Sequence, residues 1–225
     1  MVEITYGVLW DMDGVLVDTG DLHYQSWSTA LQEFGLGMSR EVFNRSFGMN
    51  NASTVEMLLG RPPEPELLAR ISDRKEWMFR EAARGQVQPL PGVLQWLKRF
   101  RQGQDGARFR QAVASSAPPE NIEMLIDEMR LREYFDALVS AFSMPGKPDP
   151  SVFLEASRLL MIPPERCVVI EDGLPGVEAA RRAGMICVAV ATTNPPQALR
   201  SADLVLGSLE ELEAEALLRL LLSGR

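Results

Sequence analysis

Two aspartates stand two residues apart near the N-terminus, within the segment VLWDMDG at residues 8–14. In extended backbone, side chains at i and i+2 point the same way, so Asp11 and Asp13 would face one site while Met12 points back into the protein. Two such close carboxylates repel each other and need either a nearby cation or a shared proton. Gly14 permits the sharp turn that must follow. Taken alone, the segment is equally well explained as an acidic turn after a strand.

Further polar residues stand directly after later apolar segments that have the length of strands. Parallel strands deliver their carboxyl ends to one edge of a sheet, so residues at those ends converge although they are far apart in sequence. The predicted strands cover residues 4–10, 109–114, 137–140 and 166–170. The residues that they would bring together are Asp11 and Asp13, Ser115 and Ser116, Lys147, and Glu171 and Asp172.

This set combines carboxylates, hydroxyls and an amine, which fits phosphoryl transfer to a carboxylate. Asp11 would attack phosphorus, while Asp13 would protonate the leaving alcohol and later take a proton from water. Lys147 and Ser115 would hold the remaining phosphate oxygens, because catalysis of this reaction rests on positioning and charge stabilisation. A metal ion would neutralise the phosphate oxygens so that an anionic nucleophile can approach.

The order of helices and strands predicts an α/β fold with a doubly wound parallel sheet, a Rossmann-like core, and an inserted helical cap domain. After the first strand, some 65 residues show helical spacing without any strand; strand and helix then alternate to the C-terminus. We therefore expect a core domain of residues 1–18 and 88–225 and a cap domain of residues 19–87. Within the cap, helices are expected over about 19–34, 40–47, 53–59 and 65–83. In the core, helices are expected over 91–100, 119–129, 148–160, 176–183 and 210–222, with a surface loop over 101–108.

Composition is that of an ordinary globular protein and argues against several classes of partner. The chain has 225 residues, of which 46% are hydrophobic, and a net charge of −8, which disfavours nucleic acid and anionic membrane surfaces. No apolar run approaches the roughly 20 residues of a membrane span, and no signal peptide is evident. Cys167 and Cys187 lie in apolar runs and are predicted to be buried thiols in a reducing compartment. We expect a cytoplasmic monomer or weak homodimer that binds neither nucleic acid nor membrane.

Four motifs, in this order, resemble those of the haloacid dehalogenase-like hydrolase superfamily: DMDGV at residues 11–15, Ser115, Lys147, and Glu171-Asp172. The helical segment also falls where that family has its small α-helical cap. The resemblance implies that Asp11 is the nucleophile and Asp13 the acid/base. It also implies Mg²⁺ held by Asp11, the backbone carbonyl of Asp13 and Asp172, with Glu171 as a further ligand. True dehalogenases of the family lack the second aspartate, so Asp13 favours phosphoryl chemistry.

The residues after the first motif resemble the branch that contains β-phosphoglucomutase and sugar-phosphate phosphatases. Thr19 and His23 fall at positions that, in the mutase, help to control the hinge and the acid/base. His23 is equally well explained as a packing or surface residue. Asp18 either braces the loop or caps the following helix.

Two departures from the mutase pattern favour hydrolysis over isomerisation. Asn51 lies in the turn where the mutase cap has an arginine for the distal phosphate, and an asparagine cannot pair with a dianion. The stretch after the second strand also lacks the mutase lysine. Arg74 and Lys75 are left as alternative sources of cap charge.

We therefore expect a Mg²⁺-dependent phosphatase of a small phosphorylated metabolite, a sugar phosphate, that acts through an aspartyl phosphate. A phosphohexose mutase and a non-catalytic binding member of the family are the alternatives. The predicted substrate- and phosphate-binding residues are Gly14, Thr19, His23, Asn51, Lys75, Ser115, Ser116 and Lys147.

Overall fold

A six-stranded sheet, parallel in every pairing, forms the centre of the computed structural model, which describes residues 4–103 and 106–223. The strands lie in the order β3-β2-β1-β4-β5-β6. Strand β1 is therefore central: β2 and β3 are added on one side of it, and β4, β5 and β6 on the other. Their bounds are β1 (Ile4–Trp10), β2 (Ala107–Ser115), β3 (Ala137–Ser140), β4 (Cys167–Glu171), β5 (Ile186–Val190) and β6 (Leu204–Leu206).

Nine α-helices accompany the strands in the described ranges. Four follow β1 without an intervening strand: α1 (Gly20–Gln32), α2 (Arg40–Ser46), α3 (Asn51–Leu59) and α4 (Pro65–Ala83). The other five alternate with strands: α5 (Val93–Gln102), α6 (Pro119–Glu128), α7 (Ser151–Leu160), α8 (Leu174–Arg182) and α9 (Ala214–Ser223). None of the helices in these ranges combines the length and apolar character needed to cross a bilayer.

Both faces of the sheet are covered by helices, which is why its strands are apolar throughout. On one face, Val8 and Trp10 of β1 pack in the cluster that includes Trp96 of α5. On the other face, Leu9 packs in the cluster that includes Phe153 of α7. The predicted doubly wound α/β fold is confirmed.

Helices α1 to α4 have an apolar cluster of their own, which includes Trp27, Leu31, Phe43, Val55 and Ile71. Their amphipathic faces therefore meet one another rather than the sheet alone. This arrangement confirms the predicted helical cap; its division from the core at residues 18/19 and 87/88 stays a prediction.

Several element bounds differ from those predicted, because caps and turns decide them. Helix α3 begins at Asn51 rather than Ser53, since the Asn50 side chain accepts a hydrogen bond from the Ser53 NH group and caps the helix. Thr19, not Asp18, is the residue that precedes α1, although Asp18 Oδ1 accepts a hydrogen bond from the Gly20 NH group at 3.3 Å.

Other predicted bounds were wrong by up to four residues. The helix predicted from residue 91 begins at Val93, because Gly92 takes the left-handed conformation (φ +82°). The loop predicted over 101–108 is shorter, since α5 runs into it and β2 starts within it. The helix predicted from residue 148 begins at Ser151, and the helix predicted from residue 210 begins at Ala214. Cys167 and Cys187 are buried thiols on the adjacent strands β4 and β5, as predicted.

A buried amide joins β2 to its neighbours, and we expect its removal to destabilise the fold. Gln111 is 1% exposed; it accepts from Trp10 Nε1 (3.1 Å) and donates to the carbonyls of Leu97 (3.1 Å) and Tyr134 (3.2 Å). Gln111→Leu should lower the free energy of unfolding by about 2–4 kcal/mol, because buried polar groups lose their partners. Urea denaturation measures the loss. Gln32→Leu, at an exposed position, should change it by less than about 0.5 kcal/mol. Equal effects of the two substitutions would contradict the prediction.

Candidate active site

The turn after β1 brings the first motif to the carboxyl edge of the sheet. The Asp11 NH group donates to the carbonyl of Ile170 at 3.0 Å, so Asp11 continues the pairing of β1 with β4. Met12 is fully buried in the core, as predicted. Gly14 has φ +84°, and a Cβ there would lie 2.0 Å from Asp172 Oδ2. Glycine is therefore required by the backbone conformation and by the close approach of Asp172.

Lys147 links two strand ends through its ammonium group. Its Nζ lies 2.6 Å from Asp11 Oδ1 and 2.7 Å from Glu171 Oε1, and the residue is only 2% exposed. The same Nζ lies 4.9 Å from the centroid of the Phe153 ring. Contacts of charged groups at such short distances, in a buried place, fix the Asp11 carboxylate in one orientation.

Burial dominates the electrostatics of this cluster. It raises the pKa of Asp11 to about 7, against the opposing effect of Lys147. Burial, together with the charges of Glu171 and Asp11, also raises the pKa of Asp172 well above its usual range. Although burial favours the neutral amine, Asp11 and Glu171 raise the pKa of Lys147 and keep it an ammonium. Three buried carboxyl groups therefore share one buried cation, an arrangement that an added divalent cation would stabilise.

A divalent metal ion could be held by Asp11, Glu171 and Asp172, because each offers a carboxylate oxygen within 4.8 Å of the others. An all-oxygen set of hard donors suits Mg²⁺. Both oxygens of Glu171 already have partners: Oε1 contacts Lys147, and Oε2 accepts from the NH groups of Asp172 and Gly173, each at 2.7 Å. Glu171 is thus better placed to orient Lys147 than to bind an ion directly, which leaves Asp11 and Asp172 as the candidate side-chain ligands.

Asp13 faces the cap rather than the cation cluster. Its Oδ1 accepts a hydrogen bond from Thr19 Oγ1 and lies 3.1 Å from His23 Nε2. Burial alone would raise the pKa of Asp13, but His23 and Thr19 outweigh it and hold this pKa below its ordinary value. The His23 ring is stacked on Phe79, with centroids 4.0 Å apart. Thr19 and His23 therefore both contact the carboxylate of Asp13, the predicted acid/base.

The two serines after β2 both line the cavity, but their hydroxyl groups have different partners. Ser115 lines the cavity, and its Oγ accepts a hydrogen bond from the Ala117 NH group at 3.1 Å. Ser116 Oγ donates to the carbonyl of Gly48 in the cap at 2.7 Å. Ser115 is thus available at the cavity wall, while Ser116 connects core and cap.

The structure resolves the choice between Arg74 and Lys75. Arg74 is paired with Glu33 at 2.8 Å on the surface. Lys75 is 3% exposed, lines the cavity, and lies 2.8 Å from Glu76 Oε1. Asn51 also lines the cavity and donates to the same Glu76 oxygen at 2.8 Å.

Several site residues were missed by the sequence analysis. Thr193 Oγ1 donates to Asp172 Oδ2, and Asn194 Nδ2 donates to the Asp172 carbonyl at 3.1 Å. Both residues follow β5, so the strand-end rule could have found them had it been applied to that strand. Asn121 Nδ2 donates to Glu76 Oε2 at 2.6 Å. The sequence could not have identified these two residues, because neither stands directly after a strand or belongs to a motif.

The cavity between cap and core measures about 40 Å³, room for a few water molecules at most. Asp11, Asp13 and Ser115 line it from the core, and Lys75 and Asn51 line it from the cap. Cap and core therefore approach each other closely around Asp11 and Asp13 in this arrangement.

Comparison with known proteins agrees with this geometry. The model of one protein family, described as haloacid dehalogenase-like hydrolase, matches residues 8–190. The chain belongs to this family. A 5-amino-6-(5-phospho-D-ribitylamino)uracil phosphatase of Arabidopsis thaliana is 32% identical over 209 residues, which are 92% of this chain and 55% of that longer protein. The β-phosphoglucomutase of Bacillus subtilis is 26% identical over 220 residues, covering 93% of this chain and 92% of the mutase.

Among solved structures, a mutant of CbbY from Rhodobacter sphaeroides, in complex with xylulose-1,5-bisphosphate, superposes with a TM-score of 0.80. It is 27% identical and covers 94% of this chain and 96% of that one. The predicted superfamily, and its branch resembling β-phosphoglucomutase and sugar phosphatases, are confirmed. The family and its phosphatase members support the predicted enzyme class, a phosphoric monoester hydrolase.

The hydrogen bond from Thr193 to Asp172 generates a prediction about metal affinity. Thr193→Val keeps the shape of the side chain but removes the donor that orients the carboxylate. We expect Mg²⁺ affinity to fall by about tenfold, as is typical when a group that orients a ligand is lost. Calorimetric titration of the apoprotein with Mg²⁺ measures the change. Thr192→Val makes the same substitution one residue away and should leave the affinity unchanged; equal affinities in both variants would overturn the assignment.

Proposed function

We propose that the chain is a Mg²⁺-dependent phosphatase that hydrolyses a small phosphorylated metabolite, a sugar or polyol phosphate, through an aspartyl phosphate on Asp11. The observation that carries the proposal is the position of Asp11, which faces the cavity while Lys147 holds its carboxylate at 2.6 Å. Asp13 lines the same cavity and supplies a second carboxyl group for proton transfer.

The first half of the reaction forms the Asp11 oxygen–phosphorus bond as the ester oxygen–phosphorus bond breaks. The leaving oxygen takes its proton from Asp13. When bound, Mg²⁺ supplies positive charge beside the phosphate oxygens and so reduces their repulsion of the nucleophile. Lys147 keeps the Asp11 carboxylate oriented, and the Ser115 hydroxyl can donate to a phosphate oxygen.

In the second half, water attacks phosphorus, Asp13 takes the water proton, and the bond between phosphorus and Asp11 breaks to release inorganic phosphate. The lowered pKa of Asp13 keeps its carboxylate ionised and able to accept this proton, while the negative charge of a bound phosphate opposes ionisation and favours the protonated acid. His23 and Thr19 hold the carboxylate where it can serve both halves.

The substrate class is supported by the relatives. The Arabidopsis phosphatase is named for a phosphoribityl compound, and the CbbY mutant was crystallised with a sugar bisphosphate. Both ligands combine phosphate with a chain of hydroxyl-bearing carbons. The hydroxyl, amide and charged groups around the cavity suit such a compact polar substrate.

Asp11→Asn tests the nucleophile. The amide cannot form the covalent intermediate, so we expect phosphate release from a panel of sugar and polyol phosphates with Mg²⁺ to fall by about 10³-fold or more. Asp21→Asn, which removes the same charge from an exposed residue of α1, should retain full activity. Chelation of the metal should abolish wild-type activity and added Mg²⁺ should restore it. Release at the same rate by wild type and Asp11→Asn would contradict the proposed function.

A phosphohexose mutase is the second candidate, favoured by the contacts of Thr19 and His23 with Asp13 and by the Bacillus relative. Incubation with β-glucose 1-phosphate and a trace of glucose 1,6-bisphosphate separates the two activities. We expect net release of inorganic phosphate and no accumulation of glucose 6-phosphate. Isomerisation without phosphate release would establish the mutase instead.

A further inference from the structure

Lys75 is the lysine that faces the cavity from the cap, yet its charge is already compensated. Its Nζ lies 2.8 Å from Glu76 Oε1, and the two side chains are only 4% and 5% exposed. Apart from His23, the titratable side chains that line the cavity in the described part of the chain are Asp11 and Asp13 on the core side and this Lys75–Glu76 pair on the cap side. The Lys75–Glu76 pair therefore carries no net charge when both groups are ionised.

Glu76 cannot easily turn away from Lys75, because three donors hold its carboxylate. Oε1 accepts from Lys75 Nζ and Asn51 Nδ2, both at 2.8 Å, and Oε2 accepts from Asn121 Nδ2 at 2.6 Å. Asn121 is fully buried on α6 of the core, and its own Oδ1 accepts from Arg80 Nη1 at 2.9 Å. Although burial alone would raise it, the pKa of Glu76 is held below its ordinary value by Lys75 and His23.

We propose that Glu76, held by Asn51 and Asn121, neutralises Lys75 and thereby makes the cap side of the cavity a subsite for an uncharged, hydroxyl-bearing group rather than for a second phosphate. The proposal rests on the proposed phosphatase function and names its substrate class: monophosphates whose other end carries hydroxyl groups. Glu76 is a specificity-determining residue in this scheme and takes no part in bond making or breaking.

Hydrogen-bonding chemistry separates the two kinds of ligand. A hydroxyl group can accept from the Lys75 ammonium and donate to the Glu76 carboxylate, so it satisfies both members of the pair. A phosphate dianion has no proton to donate, and it would bring negative charge against a buried carboxylate. The Lys75 ammonium, already paired with Glu76, would then have to compensate the phosphate as well. A site built in this way discriminates by repelling the wrong ligand as well as by binding the right one.

The first experiment uses the wild-type enzyme at saturating free Mg²⁺. The values of kcat/KM are compared for glucose 1-phosphate, glucose 6-phosphate and glucose 1,6-bisphosphate, and for the corresponding set of fructose phosphates. We expect the better monophosphate of each set to exceed its bisphosphate by about tenfold or more, which corresponds to about 1.4 kcal/mol. A bisphosphate hydrolysed as efficiently as its monophosphates would overturn the inference without touching the phosphatase function. Absence of hydrolysis of every phosphoester would instead overturn the proposed function.

The second experiment removes the compensating charge. Glu76→Gln removes the negative charge that compensates the Lys75 ammonium. We therefore expect the ratio of bisphosphate to monophosphate kcat/KM to rise by about tenfold, chiefly through a lower KM for the bisphosphate. Glu81→Gln removes the same charge from a partly exposed position of α4 and should leave the ratio unchanged. A ratio that is unchanged in a folded Glu76→Gln enzyme would overturn the inference. If that variant does not fold, the wild-type comparison still decides the question.

Discussion

The ammonium of Lys147 between Asp11 and Glu171 is the interaction on which the rest of the site depends. Buried carboxyl groups at three neighbouring positions would repel one another and favour protonation, and Lys147 counters this from within the protein. It can do so only because β1 and β4 are adjacent, which brings Asp11 and Glu171 within reach of one side chain. The strand order is therefore an electrostatic requirement of the site as well as a topological one.

The cap completes the site by a different kind of contact. Whereas the strand ends of the core supply charges, hydrogen bonds join cap and core. Ser116 Oγ and Asn121 Nδ2 of the core donate to the Gly48 carbonyl and to Glu76 Oε2, and Asn50 Nδ2 of the cap donates to the Met144 carbonyl. Together they hold the cap against the core, so that Lys75 and Glu76 lie opposite Asp11 and Asp13 across the cavity.

Most of the fold could be predicted because periodicity reports burial directly. Strand runs apolar on both faces indicate a sheet covered on both sides, and the stretch of helices without strands marks the cap. Bounds were less certain where a single side chain or a glycine decides them, as Asn50 does for α3 and Gly92 for α5. Such caps act through one hydrogen bond or one backbone torsion, and apolar periodicity does not register them.

The sequence by itself determined which groups meet at the strand ends, since parallel strands must bring Asp11, Lys147 and Asp172 to one edge wherever they stand in the chain. Only the tertiary structure decided which of Arg74 and Lys75 enters the cavity. Consecutive helical residues point about 100° apart, and the packing of α4 selects the one that turns inward. The same packing, between α4 and α6, places Asn121 against Glu76 across 45 residues of sequence. No local sequence pattern predicts that contact, because it depends on how two helices from different parts of the chain pack together.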